Sequence, residues 1–182
     1  LQQLQPVLRA GNWQVTVALR DGHQVIGIWP GLKERLAGVS IDVGSTTMSA
    51  HLCDMVTGDV LASTGAMNPQ IRFGEDLMSR VSYGIMNPGG HLEMTTAVID
   101  GLQKLISGAA EQAGLDAEDV VEIVLVGYPV MHHLLLGIDP VELGGAPFAL
   151  AVDTAVEIRA SELGLGVNLS LIHISEPTRH DR

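Results

Sequence analysis

Gly38-Val39-Ser40-Ile41-Asp42-Val43-Gly44-Ser45-Thr46-Thr47-Met48-Ser49-Ala50-His51-Leu52-Cys53-Asp54 is the stretch on which the reading of this chain turns. Val39 to Gly44 has the pattern of a buried strand ending in a tight loop, and Thr47 to Asp54 is a second run of residues suited to a sheet. Thr57-Gly58-Asp59 supplies a turn, and Val60 to Ala66 is a third strand. Three consecutive strands joined by short turns form an antiparallel meander. Asn68-Pro69 ends it, because the residue before a proline avoids helical dihedrals.

Downstream the period changes. Gly74 to Ile85 predicts a helix, with Leu77, Val81 and Ile85 on one face and Asp76 four residues before Arg80 as a surface pair. His91 to Ala113 predicts a longer one, because Val98, Leu102, Leu105, Ile106, Ala109 and Ala113 form one apolar stripe, with Gly114 as its left-handed stop. Val120 to Gly127 is a continuous strand, Pro129 to Leu136 a short helix, and Phe148 to Val152 a further strand. A meander followed by helix–strand alternation is the layout of an α/β, ribonuclease-H-like half-domain, with a mixed sheet carrying helices on both faces.

Upstream, Trp13 to Leu19 and Gln24 to Trp29 flank Asp21-Gly22, a strong local hairpin signal. Trp13, Val15, Val17 and Leu19 share one face of the first strand. This hairpin reads as a small linker module ahead of the main domain.

The 182 residues carry 10 Lys+Arg against 21 Asp+Glu, a formal charge of −11, with 46% hydrophobic residues. That apolar content can build a core, so wholesale disorder is excluded. Phosphate backbones reward clustered basic residues, so a nucleic-acid partner is not expected. No apolar run approaches the roughly 20 residues that cross a bilayer, so no membrane partner is expected either. The single cysteine, Cys53, allows no internal disulfide and reads as a small buried hydrophobe. The sum is a soluble, acidic, cytoplasmic protein.

Chemistry concentrates at Asp42-Val43-Gly44-Ser45-Thr46-Thr47. A strand delivers Asp42 to its C-terminal end, Gly44 permits a sharp turn, and three hydroxyl residues follow beside exposed backbone N–H groups. Asp42 suits Mg²⁺, directly or through water, since hard cations take carboxylate and water oxygens. Asp, Gly, Ser and Thr also meet in ordinary hairpin turns; the surrounding strands favour the anion cradle. A second polar segment, Asn68-Pro69-Gln70-Ile71-Arg72-Phe73-Gly74-Glu75-Asp76, precedes a helix. Its carboxylates also suit a first helical turn. His132 and His133 are adjacent, point to different helix faces and read as structural.

These segments, together with Ser79-Arg80 and Val130-Met131-His132-His133-Leu134-Leu135-Leu136-Gly137-Ile138-Asp139-Pro140, resemble the ATP-binding domain of reductive activators of corrinoid proteins. That family belongs to the superfamily of acetate and sugar kinases, actin and heat-shock chaperones. The likeness runs from Gly38 to Gly164, and the 13–29 hairpin resembles the region these activators place between a [2Fe–2S] domain and the ATPase domain. It implies ATP and Mg²⁺ at Asp42, Gly44, Ser45, Thr46, Thr47 and Gly127, and a cleft to which Asn68, Arg72, Glu75 and Asp76 are available. No catalytic residue is assigned. The parent would use ATP to drive electrons from its [2Fe–2S] cluster to a Co(II) corrinoid protein or corrinoid-dependent methyltransferase, restoring Co(I) for methyl transfer. A homodimer is left open. One departure is visible: the family has Gly-Asn-Thr or a close variant before Val130, and this chain has Gly127-Tyr128-Pro129.

Both ends bear on these expectations. The chain opens at Leu1 without an initiator Met, and Leu169 to Arg179 resembles the in-frame translation of a transposon-based sequencing adapter. The expected division is 1–37, the end of a linker region with its β-hairpin; 38–168, the first half of an actin-like ATPase domain; and 169–182, an adapter-derived tail that is not native and is set aside in reading the fold. A fragment with one Asp-Gly loop and no cluster cysteines is expected to lack ATPase activity by itself, because half a cleft cannot enclose its ligand. A sugar or acyl kinase would use the same loop but would also need a base beside its acceptor. A non-catalytic nucleotide-sensing or assembly module is the other alternative.

Overall fold

In the computed structural model, residues 4–167 and 171–175 are described. A short helix, α1 (Leu4–Ala10), leads into the hairpin β1 (Val15–Arg20) and β2 (Gln24–Pro30). Asp21 and Gly22 both take positive φ, 50° and 73°, as a turn of this kind requires. The hairpin packs by the face opposite to the expected one. Ala18, Ile26 and Trp29 are buried against Val121, whereas Val17 and Leu19 are exposed. Strict alternation cannot say which face meets the rest of the molecule, and the register also shifts between Ala18 and Leu19. Lys33 pairs with Asp119 at 2.7 Å and Arg20 with Glu157 at 3.4 Å, tying this module to the main sheet.

The main sheet has six strands in the order β5-β4-β3-β6-β8-β7. They are β3 (Ala37–Val43), β4 (Thr47–Asp54), β5 (Val60–Met67), β6 (Val120–Gly127), β7 (Val156–Arg159) and β8 (Leu171–Ser175). β3, β4 and β5 form the expected antiparallel meander. β6 runs parallel to β3, and β8 parallel to β6. Asp54 closes the β4–β5 turn by accepting from the Val56 and Thr57 N–H groups at 2.8 and 3.1 Å. Those bonds hold its carboxylate below the usual aspartate value.

α2 (Leu77–Met86), α3 (Gly90–Gln112) and α4 (Pro129–Leu135) connect the strands. The apolar stripe of α3 is buried as the period demands, with Val98, Leu102, Leu105, Ile106 and Ala109 packed on Ile41, Leu52, Ile123 and Leu125. Each of these Val, Leu and Ile side chains, fully removed from water, contributes about 1.5–3 kcal/mol. The α/β, mixed-sheet architecture is therefore as expected, with one correction: among the described residues the helices cover a single face. α3 and α4 pack on the face that buries Ile41, Leu52, Ile123 and Leu125, whereas Ser40, Asp42, Ser49, Val124 and Val126, which alternate to the other face, are exposed.

Three further differences concern particular segments. Arg80 is fully buried, not half of a surface pair with Asp76. Phe148 to Val152 forms no strand; Ala146-Pro147 is a cis peptide and Phe148 is exposed at φ 58°, a backbone that cannot join a ladder. Leu171–Ser175, set aside as part of a tail, is β8, because Ile172 and Ile174 alternate onto the core face while His173 and Ser175 face the other way. Leu169, Ser170 and 176–182 lie outside the described residues.

Candidate phosphate-loop site

The uncovered face of the sheet carries Ser40 and Asp42 of β3, Ser49 and His51 of β4, and Glu122, Val124 and Val126 of β6. Asp42 sits in register with Ser49 on one side and Val126 on the other. All of these except Glu122 line a shallow groove of about 260 Å³. Cys53 lies on this face too, half-buried beside Met55, rather than in the core.

At the C-terminal end of β3 the chain turns through Gly44-Ser45-Thr46 into β4. The turn is too tight for a side chain at Gly44, where a Cβ would stand 2.6 Å from the Thr47 carbonyl oxygen. Gly127 ends β6 beside Val43, and a Cβ there would meet the Val43 carbonyl oxygen at 3.1 Å. From these neighbouring ends β3 turns back into β4 on one side while β6 continues into α4 and on to β7 and β8 on the other. Divergence of adjacent parallel strands at their carboxyl ends is where open α/β sheets form ligand crevices.

The carbonyls of the loop are all drawn to one side. Asn68 Nδ2 donates to the Gly44 carbonyl at 2.8 Å, the Asn68 backbone N–H donates to the Thr46 carbonyl at 2.8 Å, and Arg80 Nη2 donates to the Ser45 carbonyl. Asn68 also accepts from the Gln70 N–H, capping a 3₁₀ turn over Pro69–Phe73. Gln70 Nε2 donates to the Met94 carbonyl in α3. Asn68, Gln70 and Arg80 are each at most 1% exposed. Because C=O and the following N–H are antiparallel across a planar trans peptide, the N–H groups of Ser45 and Thr46 point the other way. Among the described residues they donate to no backbone carbonyl.

Of the polar residues expected near a cleft, Asn68 thus stands behind the loop. Asp76 caps α2, accepting from the Ser79 N–H at 2.7 Å. That backbone bond, then the Ser79 hydroxyl, holds its carboxylate below the ordinary aspartate value. Arg72 and Glu75 are exposed, with the Arg72 guanidinium 4.6 Å above the Phe73 ring. His133 is buried and structural: its Nδ1 lies 2.8 Å from the Pro129 carbonyl, and its Nε2 accepts from the Ala151 N–H. Tyr128, in the place of the family's Asn, is exposed at the start of α4 and makes no side-chain cap bond. The burial of Gln70 and Arg80 behind the loop was missed from sequence; their place in one motif with Asn68 was the available signal.

The donor set suits a hydrated Mg²⁺ brought in with a polyphosphate. Asp42 offers one carboxylate and the loop adds hydroxyls, and Mg²⁺ keeps most of its ligands as water and phosphate. Among the described residues no group of three or more His, Cys, Asp or Glu could hold a metal by itself.

The family described as the RACo middle region matches residues 37–177, and the RACo linker region matches 1–35. The chain belongs to the RACo family. RACo proteins are reductive activators of corrinoid proteins, and the curated and solved relatives agree. The corrinoid activation enzyme RamQ of Eubacterium limosum is 28% identical over 150 residues, 81% of this chain and 25% of RamQ. A solved reductive activator for corrinoid, iron–sulfur protein superposes with a TM-score of 0.79 at 31% identity, covering 95% of this chain and 28% of that one. This RACo chain spans about a quarter of the length of these two relatives. Among its described residues no helix is long and apolar enough to cross a membrane.

Proposed function

We propose that residues 38–168 form the first half of an actin-like ATPase domain and residues 1–37 the end of a linker region. In this reading Asp42, Gly44, Ser45, Thr46, Thr47 and Gly127 receive the phosphates of Mg·ATP. The Ser45 and Thr46 N–H groups and the loop hydroxyls donate to phosphate oxygens, and Asp42 holds the cation through water. The observation that carries this is the orientation of the loop, with the Gly44, Ser45 and Thr46 carbonyls all bonded on the buried side.

In the parent activator, ATP binding and hydrolysis would drive reduction of a Co(II) corrinoid partner to Co(I), the nucleophile of methyl transfer. Electrons would come from a [2Fe–2S] cluster. One cysteine cannot ligate such a cluster, so no step within these residues passes through it. The chain's part is to bind and orient phosphate. It leaves the nucleotide open on one side, so its affinity is expected near millimolar, about −4 kcal/mol.

Titrating the chain separately with Mg·ATP and with a corrinoid protein tests this. Weak, magnesium-dependent ATP binding that Asp42→Asn abolishes is the expected result, with hydrolysis at background. Binding indifferent to D42N and to magnesium would overturn the site. Turnover well above background would overturn the half-cleft reading.

A further inference from the structure

Arg80 is 0% exposed, in a chain whose formal charge is −11. Its guanidinium spreads over four acceptors: the Gly74 carbonyl from Nε at 3.0 Å, Gln70 Oε1 and Met131 Sδ from Nη1 at 3.3 and 3.1 Å, and the Ser45 carbonyl from Nη2. None is a carboxylate. Among the described residues Arg80 makes no ion pair, although Asp76, the exposed cap of its own helix, acts on it electrostatically. Burying a cation is costly unless its donors are satisfied, and a paired carboxylate would have been the ordinary solution. Here neutral groups take the hydrogen bonds and no carboxylate is bonded to the guanidinium.

The four acceptors come from separate parts of the fold. Gly74 and Gln70 belong to the segment before α2, Met131 to α4 immediately after Gly127, and Ser45 to the loop that follows β3. One planar fork therefore joins both strand ends that border the proposed crevice.

We propose that Arg80 is the positioning residue of the phosphate loop. It clamps the Ser45 carbonyl to α4, so that the Thr46 N–H on the far side of the same peptide, and a buried positive charge behind it, face a bound polyphosphate. The proposal rests on the reading of the loop as a polyphosphate site. Two physical consequences follow. The loop is held in its anion-accepting shape before ligand arrives, which removes an ordering cost from binding. The buried positive charge offsets part of the repulsion that this acidic chain would otherwise exert on a polyanion. Lysine cannot replace the clamp, because one ammonium group cannot span four acceptors in a plane.

The test compares the full chain with Arg80→Met and Arg80→Lys, using two readouts. ¹⁵N relaxation of Ser45, Thr46 and Thr47 without any ligand should give order parameters near ~0.85 in the parent chain and below ~0.6 in R80M. The amide shifts of Leu102 and Ile106 in α3 should stay in place, showing that the core is folded. Affinity for inorganic tripolyphosphate with magnesium should fall about tenfold in R80M. R80K should loosen the loop as R80M does while losing less affinity, since it keeps the charge. If R80M fails to fold, R80K carries the loop measurement. A loop equally ordered in the variants would overturn the clamp, as would full recovery of loop order by R80K. A loop that loosens in R80M, when the parent chain binds no tripolyphosphate, would uphold the clamp and contradict the polyphosphate reading instead.

Discussion

The two sides of the Asp42–Thr47 loop are built on opposite terms. Behind it lie Asn68, Gln70 and Arg80, polar and buried, with their hydrogen-bonding groups committed to neighbouring backbone and side chains. In front lie Asp42, Thr46 and Ser49, polar and exposed, whose side chains make no hydrogen bond among the described residues. The buried side fixes the shape of the turn, where each lost bond strands a partner in a dry interior. The exposed side leaves its donors and its carboxylate available to something from solvent. Polar residues therefore do different work on the two sides: the amide at 68 is structural, whereas the carboxylate at 42 is the one we propose for a ligand.

This contrast can be broken by substitution. Asn68→Ala removes the bond to the Gly44 carbonyl and the cap of the 3₁₀ turn together, and should cost about 2–4 kcal/mol in urea unfolding. Gln70→Ala removes a buried amide, with its bond to the Met94 carbonyl and one acceptor of Arg80, for about 1–3 kcal/mol by the same measurement. A loss near zero at either position would place it with the exposed side.

Asp76→Ala should lower Tm by only a few degrees at neutral pH. Because bonding to Ser79 depresses the Asp76 value in the folded state, its contribution is present above the unfolded aspartate value of about 3.9. It is lost as pH falls through the lower, folded value. Thermal melts of D76A and the parent chain should therefore converge as the pH falls below the unfolded aspartate value. Asp42→Asn should change stability least, within about 0.5 kcal/mol, while removing magnesium-dependent nucleotide binding. A large loss of stability in D42N would make Asp42 a structural residue and erase the contrast.

Much of this was legible in sequence where a period was clear. β6 was expected over its full length, and the ends of α3 fall within a residue of the expected ones, because eight and 23 residues of regular pattern leave little freedom. The loop was legible from Asp42, Gly44 and the hydroxyls after them. Arg80 was not, since an arginine four residues after an aspartate fits an exposed helical pair, and only the fold shows that its side chain turns inward beneath Ser45. The packed face of the hairpin was missed because Val17 and Leu19 outweigh Ala18 in hydrophobicity, although Ala18 is the residue that meets Val121. β8 was missed because Leu171–Ser175 was set aside on its resemblance to an adapter; its alternation alone would have suggested a strand. The single helix-covered face was missed because alternation marks the two sides of a strand without saying which elements pack on each.

The most direct test of the account is a ¹⁵N–¹H spectrum of the 182-residue chain titrated with ATP, with and without magnesium. The account predicts saturable, magnesium-dependent shifts at the amides of Ser45, Thr46, Thr47 and Gly127, while Leu102 and Ile106 in α3 stay still. Shifts confined to other surfaces, or none at the loop up to roughly ten times the expected millimolar constant, would contradict it.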